Sequence, residues 1–120
     1  MNVEPLLFNA LKDLVAGHCY RDVAPLNAAK PCITFQQVGG EAVNFLHNAD
    51  PVGIRNARVQ VNCWSAASRD EATVLAHQAE DALRAYTALQ VTVLGSAVSI
   101  YEPETFLFGS MQDFSCWTDT

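Results

Sequence analysis

The chain has 120 residues, half of them hydrophobic and 17% charged, which suits one domain with a real core and not a disordered segment. Its net charge is −6, and its seven basic residues are scattered, unlike the clustered cations with which nucleic-acid binders neutralise phosphates. No apolar run approaches the ~20 residues of a membrane helix, and the start "MNVEPLLFNALKDLV" lacks the basic region of a signal peptide, so synthesis in the cytosol and no membrane partner are expected.

The first predicted element is a helix over about Glu4–Ala16. Leu7, Ala10, Leu11 and Leu14 follow the i, i+3, i+4, i+7 spacing, Pro5 suits a first turn, and Gly17 supplies a stop. "HCYRDVAPLNAAKP" reads as a short extended piece and then a turn region rich in Pro and Asn. Pro31–Val38 is β-rich. The segment from about Gly39 to Asn56 follows, too long for a hairpin turn and wrong for a helix, yet carrying Val43, Phe45 and Leu46 among Gly, Asn, Asp and Pro. Loops of this length in compact domains are usually functional or disordered, and the apolar residues argue for an arm, either a long hairpin that extends the flanking strands or an irregular loop that a partner orders. "ARVQVNCW" alternates, with Val59, Val61 and Cys63 on a core face and Arg58, Gln60, Asn62 and Trp64 on the other.

"SRDEATVLAHQAEDALRAY" is the strongest helix. Ser68 and Glu71 predict a capping box, and Ala72, Leu75, Ala76, Ala79, Leu83 and Tyr86 form its apolar stripe. "LQVTVLGSAVSIYE" then predicts a two-residue hairpin with Gly95-Ser96 in a type II′ turn, pairing Val93 with Val98 and Val91 with Ile100. A last strand is expected over Phe106–Trp117. In it Leu107, Met111 and Trp117 have the parity opposite to Phe106, Phe108, Phe114 and Cys116. Together with Trp64 they suggest a partner surface on the second sheet face, the alternative being a bulge that returns some of them to the core. The order predicts an α+β domain, a mostly antiparallel β-sheet with two α-helices packed on one face.

Chemistry is sparsely signalled. Cys19, Cys32, Cys63 and Cys116 are isolated, without the paired spacing of a zinc site or a secretory context for disulfides, and are expected to be small buried hydrophobes. There is no G-x-S-x-G, phosphate loop or G-x-G-x-x-G. His77 falls on the polar side of the second helix, His18 follows a helix stop, His47 lies in the long loop near Asp50, and Glu102 and Glu104 occupy a turn. No catalytic, metal or cofactor site is expected from these.

Taken together and in order, "YRDVAP", "KPCITFQQVGG", "RVQVNCWSAASRDEATVLAHQAEDAL" and "YEPETFLFGSMQDFSCW" resemble the tail-completion family of tailed bacteriophages, also described as tail terminators or head–tail joining proteins. The resemblance implies a non-enzymatic structural protein, of phage or prophage origin, in the virion tail. It implies a ring, commonly a hexamer, on the end of the tail tube, facing the tail-tube protein and the head connector, with DNA passing through unbound. An acidic chain suits that channel, since a basic one would hold the DNA. Ring closure needs two different surfaces on each subunit, and Phe45, Leu46, His47, Trp64, Met111 and Trp117 are the interface candidates. The alternatives are a neck or head-completion adaptor, or a small cytosolic ligand- or partner-binding domain unrelated to virions.

Overall fold

The computed structural model describes residues 3–25, 27–41 and 54–119. Helix α1 (Val3–Leu11) continues as a 3-10 turn over Lys12–Val15, which tightens the end of the predicted helix before Ala16 and Gly17 adopt positive φ. Val3, Leu7, Leu11 and Val15 are its buried residues, with Ala10 and Leu14 at the margin of the core. Strand β1 (Cys19–Arg21) pairs in parallel with β2 (Cys32–Gln37), which pairs antiparallel with β3 (Ile54–Ser65).

After β3 the chain rises into α2 (Arg69–Ala85) and returns through the short strand β4 (Thr92–Val93), then β5 (Val98–Glu102) and β6 (Leu107–Asp119). Strand β6 inserts between β3 and β4, so the sheet order is β1-β2-β3-β6-β4, with β5 also on β6. The crossover through α2 therefore passes over one intervening strand, β6, and the helix packs against both β3 and β6. Both helices lie on this one face of a mostly antiparallel sheet, as the α+β reading expects. Leu75, Ala76, Ala79 and Leu83 pack in one core with Val59, Val61, Cys63, Phe114 and Cys116, Ala72 is also buried, and the small alanines let the helix approach closely.

The start of α2 differs from a reciprocal capping box. Ser68 Oγ accepts from the Glu71 N–H at 3.1 Å, but the Glu71 carboxylate accepts from Ser65 Oγ at 2.6 Å instead of returning to Ser68. Ser65 Oγ in turn accepts from the N–H groups of Ala67 and Ser68, at 3.1 and 3.3 Å. The last residue of β3 is fully buried and fixes the turn into the helix.

The predicted hairpin does not form. Strands β4 and β5 run end to end along the free edge of β6, with Thr92 and Val93 opposite Ser115 and Phe114, and Val98–Glu102 opposite Met111–Leu107. Gly95 does not take the positive φ of a type II′ turn. The reason is the length of β6: a local hairpin would leave much of its edge without backbone partners, whereas one bulged strand satisfies it. Buried Gln112 holds the bulge by donating to Gly95 O and to Glu80 Oε1, both at 2.8 Å, and the Leu94 N–H reaches Asp113 O at 3.1 Å. Farther along, Arg69 donates to Gly109 O and Ile100 O and lies over the Phe108 ring, tying this edge to the first turn of α2.

All four cysteines are free and buried, and burial pushes the thiols of Cys19, Cys63 and Cys116 up to about 12. They behave as the small apolar residues that the sequence suggested.

Two outcomes are expected. Replacing the fully buried Phe114 with Ala should lower the unfolding free energy by about 3–5 kcal/mol in urea titrations. The Gln112 amide, followed by Arg84, holds the Glu80 carboxyl below its ordinary 4.5. The ionised side chain thus favours the fold above that value, and the contribution is lost as pH falls through the lower folded value. Glu80→Gln should be destabilising at neutral pH, and the gap from the parent protein should close when denaturation is repeated progressively below about pH 4.5.

Candidate functional site

The face of the sheet turned away from the helices carries the features that the fold does not use. Its axis is the β3–β6 ladder, which runs unbroken from Ile54 opposite Asp119 to Ser65 opposite Phe108. No bulge interrupts it, so Leu107, Met111 and Trp117 remain on the outer face while Phe108, Phe114 and Cys116 face the helices. Twelve paired residues span about 40 Å.

This face is divided along its length. Its middle is polar: Arg58 meets Asp113 at 2.7 and 3.1 Å, and Gln60 reaches the other carboxylate oxygen at 3.4 Å. One end is apolar, with Trp64, Met111, Ile100, Leu107 and Cys32. Trp64 lies directly across Gly109, where an added Cβ would stand 2.7 Å from the indole ring and 2.7 Å from Ile100 Cγ1. Only a residue without a side chain lets the indole lie flat there, and its Nε1–H donates to Thr34 Oγ1 at 3.2 Å. Trp117 sits at the other end, opposite Asn56, eight residues or about 26 Å along β6 from Gly109.

At the Trp64 end the face opens into a cleft of about 700 Å³. Cys32, Thr34, Asn62 and Trp64 contribute from β2 and β3, Lys30 and the Asp22–Pro25 turn from one side, and Glu102, Thr105 and Leu107 from the β5–β6 connection. Asn62 Oδ1 is buried and accepts no hydrogen bond from any described group, a condition that costs about 1–3 kcal/mol if nothing compensates. Beside the rim, Phe106 is 70% exposed with φ 58, an unusual conformation for an aromatic residue and one that holds it out at the tip of the connection.

The opposite end anchors the predicted arm. Past β2, the Val38 N–H donates to Arg58 O and the Arg58 N–H to Gly39 O, at 2.7 and 2.8 Å, so Gly39 still runs alongside β3. Gly40 approaches Asn56 so closely that a Cβ would lie 2.3 Å from its carbonyl oxygen. Asn56 then clamps the stem, accepting from the Glu41 N–H at 2.8 Å and donating to Ser115 Oγ at 2.8 Å. The predicted loop is shorter than 39–56 at both ends, because ladder bonds continue to Gly39 and β3 begins at Ile54.

The sequence-derived interface candidates are thus distributed. Trp64 and Met111 come together at the cleft end, half-buried, and Trp117 is half-buried about 26 Å away. Phe45, Leu46 and His47 lie outside the described residues. Cys32 is buried, but on the outer face next to Trp64 and not in the helix-side core. Gly109, Asn62, Lys30, Thr105 and the Asp22–Pro25 turn were missed. Their only sequence signal was a tryptophan on a strand's polar face, which called for a small residue opposite once the register was known. His77 is exposed, His18 Nδ1 lies 3.5 Å from the Tyr20 hydroxyl, and Glu102 accepts from the Glu104 N–H at 2.9 Å within its turn. Among the described residues no group of three or more His, Cys, Asp or Glu is placed to hold a metal.

The fold and this face define a small α+β domain with an apolar cleft at one pole and, at the other, Gly39–Glu41 clamped against Asn56. Comparison with known proteins supplies the context. The model of the family "Tail completion protein gp17" matches residues 7–119, and the chain belongs to that family. It is accordingly a phage structural protein. No significant match was found among curated proteins. Among solved structures, a chain of the virion of a native gene transfer agent particle aligns at 11% identity with a TM-score of 0.44, over 95% of this chain and 92% of that one. No described helix is long and apolar enough to cross a membrane.

Replacing Gly109 with Ala should push Trp64 off Thr34 and cost about 1–3 kcal/mol of stability. In a Trp117→Phe background, which leaves Trp64 as the reporter, the change should appear as a shifted indole emission with far-UV circular dichroism retained.

Proposed function

We propose that this protein completes the tail by assembling as a homo-oligomeric ring, a hexamer, on the head-proximal end of the tail tube. There it stops tube growth and presents the surface that meets the head connector, and it catalyses no reaction. The observation that carries this reading is membership in the tail completion family over nearly the whole chain.

Two physical features support it. A closed ring of identical subunits needs two different, complementary surfaces on each, and the cleft pole and the arm pole are two such surfaces. DNA must also pass through without being held. Most cations among the described residues are already engaged within the chain: Arg21 with Glu4, Arg58 with Asp113, Arg84 with Glu80, Arg69 with two carbonyls and Lys30 with Ala28 O. With a net charge of −6, the surface offers little for phosphates to displace counterions onto.

In this reading Phe45 and Leu46 contact a neighbouring subunit, with Phe45 as an aromatic anchor of the kind found at hot spots. Negative-stain images of the purified protein, alone and mixed with tail tubes, should show closed rings or capped tubes. Particles that stay monomeric at every concentration and leave tubes uncapped would overturn the ring. The double change Phe45→Asp and Leu46→Asp should abolish assembly, and intact tail joining in that variant would remove the arm from the interface.

A further inference from the structure

We infer that the cleft beside Trp64 is the seat for the 42–53 segment of a neighbouring copy, with Phe45 and Leu46 as the side chains that enter it. The inference deepens the ring reading and rests on it.

The cleft has the chemistry of a receptor for an apolar segment with polar backbone. Trp64 and Leu107 line it with apolar surface above the buried Cys32, and Thr34, Asn62 and Thr105 set polar groups among them. The 42–53 segment matches this in composition. It holds Val43, Phe45, Leu46 and Val52, and its Asn44, His47 and Asn48 side chains and backbone N–H groups can all donate. Its one formal charge, Asp50, has a complement in Lys30 on the cleft wall.

Geometry decides which copy supplies the segment. It leaves from Glu41, clamped to Asn56, and rejoins the sheet at Ile54, both at the pole away from the cleft. Trp64 is eight residues from Asn56 along β3, about 26 Å. Phe45 is four residues from Glu41, so its Cα stays within about 14 Å of Glu41 even on a fully extended chain, and Leu46 within about 18 Å. A subunit's own Phe45 and Leu46 therefore stop short of Trp64 and reach no farther than the near edge of the cleft at Asn62, whereas those of a neighbour placed arm to cleft can enter it fully. The contact joins one pole of a subunit to the other pole of the next, which is the heterologous relation that repeats into a ring.

The test uses full-length chains with one added cysteine each, Phe45→Cys or Ala66→Cys, the latter an exposed position on the cleft wall. The four native thiols are buried. Mixing the two variants under assembly conditions and oxidising should give a covalent dimer that neither gives alone, and the doubly substituted chain should give a ladder up to the closed ring. Rings that form without the cross-link overturn the seat while leaving the ring intact. Cross-links from Ala66→Cys to the tail-tube protein in place of a second copy overturn the occupant. Absence of rings in the parent protein, with and without tubes, overturns the ring reading and this inference with it. As a second arm, Ala66→Arg should raise the concentration for half-assembly at least tenfold with an unchanged unfolding midpoint, and unchanged assembly would count against the seat.

Discussion

Unbroken antiparallel pairing between β3 and β6 is the constraint on which the rest of the molecule depends. The two longest strands hold one register over their full length, and because side chains alternate, that register sorts every residue on both strands to one face or the other. A slip by one residue would place Phe114 and Cys116 in solvent and Trp117 against the helices. The α2 crossover, the β1–β2 pair on one edge and the β4–β5 strand on the other all attach to this ribbon.

Edge management follows from the same length. A strand as long as β6 presents more backbone donors and acceptors than a short neighbour can satisfy. The chain lays β4 and β5 along it in sequence and absorbs the mismatch in a bulge, held by Gln112 from below and by Arg69 farther along. Both side chains also connect this edge to α2, Gln112 through Glu80 and Arg69 as the helix's first residue. Gln112 and Arg69 thus fix where the edge lies.

The outer face shows a different economy, in which its polar middle separates two poles. At one, Trp64 requires Gly109 opposite it and shapes a cleft with residues from three separate connections. At the other, Gly40 and Asn56 hold the arm's stem against β3 so tightly that its departure point is fixed. The stem and the cleft thus stand at opposite ends of the β3–β6 ribbon.

Much of this was legible in the residues alone. The stripe in α2, the Ser68 cap, the alternation in β3 and the buried cysteines all follow from periodicity, because local spacing determines which side of an element is apolar. So did the sidedness of β6, since two parities of apolar residue had to face two different surroundings. The Gly95-Ser96 hairpin failed because local turn chemistry was overridden by the demand of a distant edge, and Glu71 left its capping partner for Ser65, which a local motif does not foresee. The cleft was out of reach for the same reason. Its walls come from residues 22–34, 62–66 and 102–107, which only the β2–β3 and β3–β6 registers bring together. The sequence by itself determined the elements, their buried faces and the family likeness, all of which are written in short-range patterns. Tertiary structure alone decided strand order, the partner of each edge and the meeting of Trp64 with Gly109, because those depend on long-range backbone pairing that no local spacing encodes.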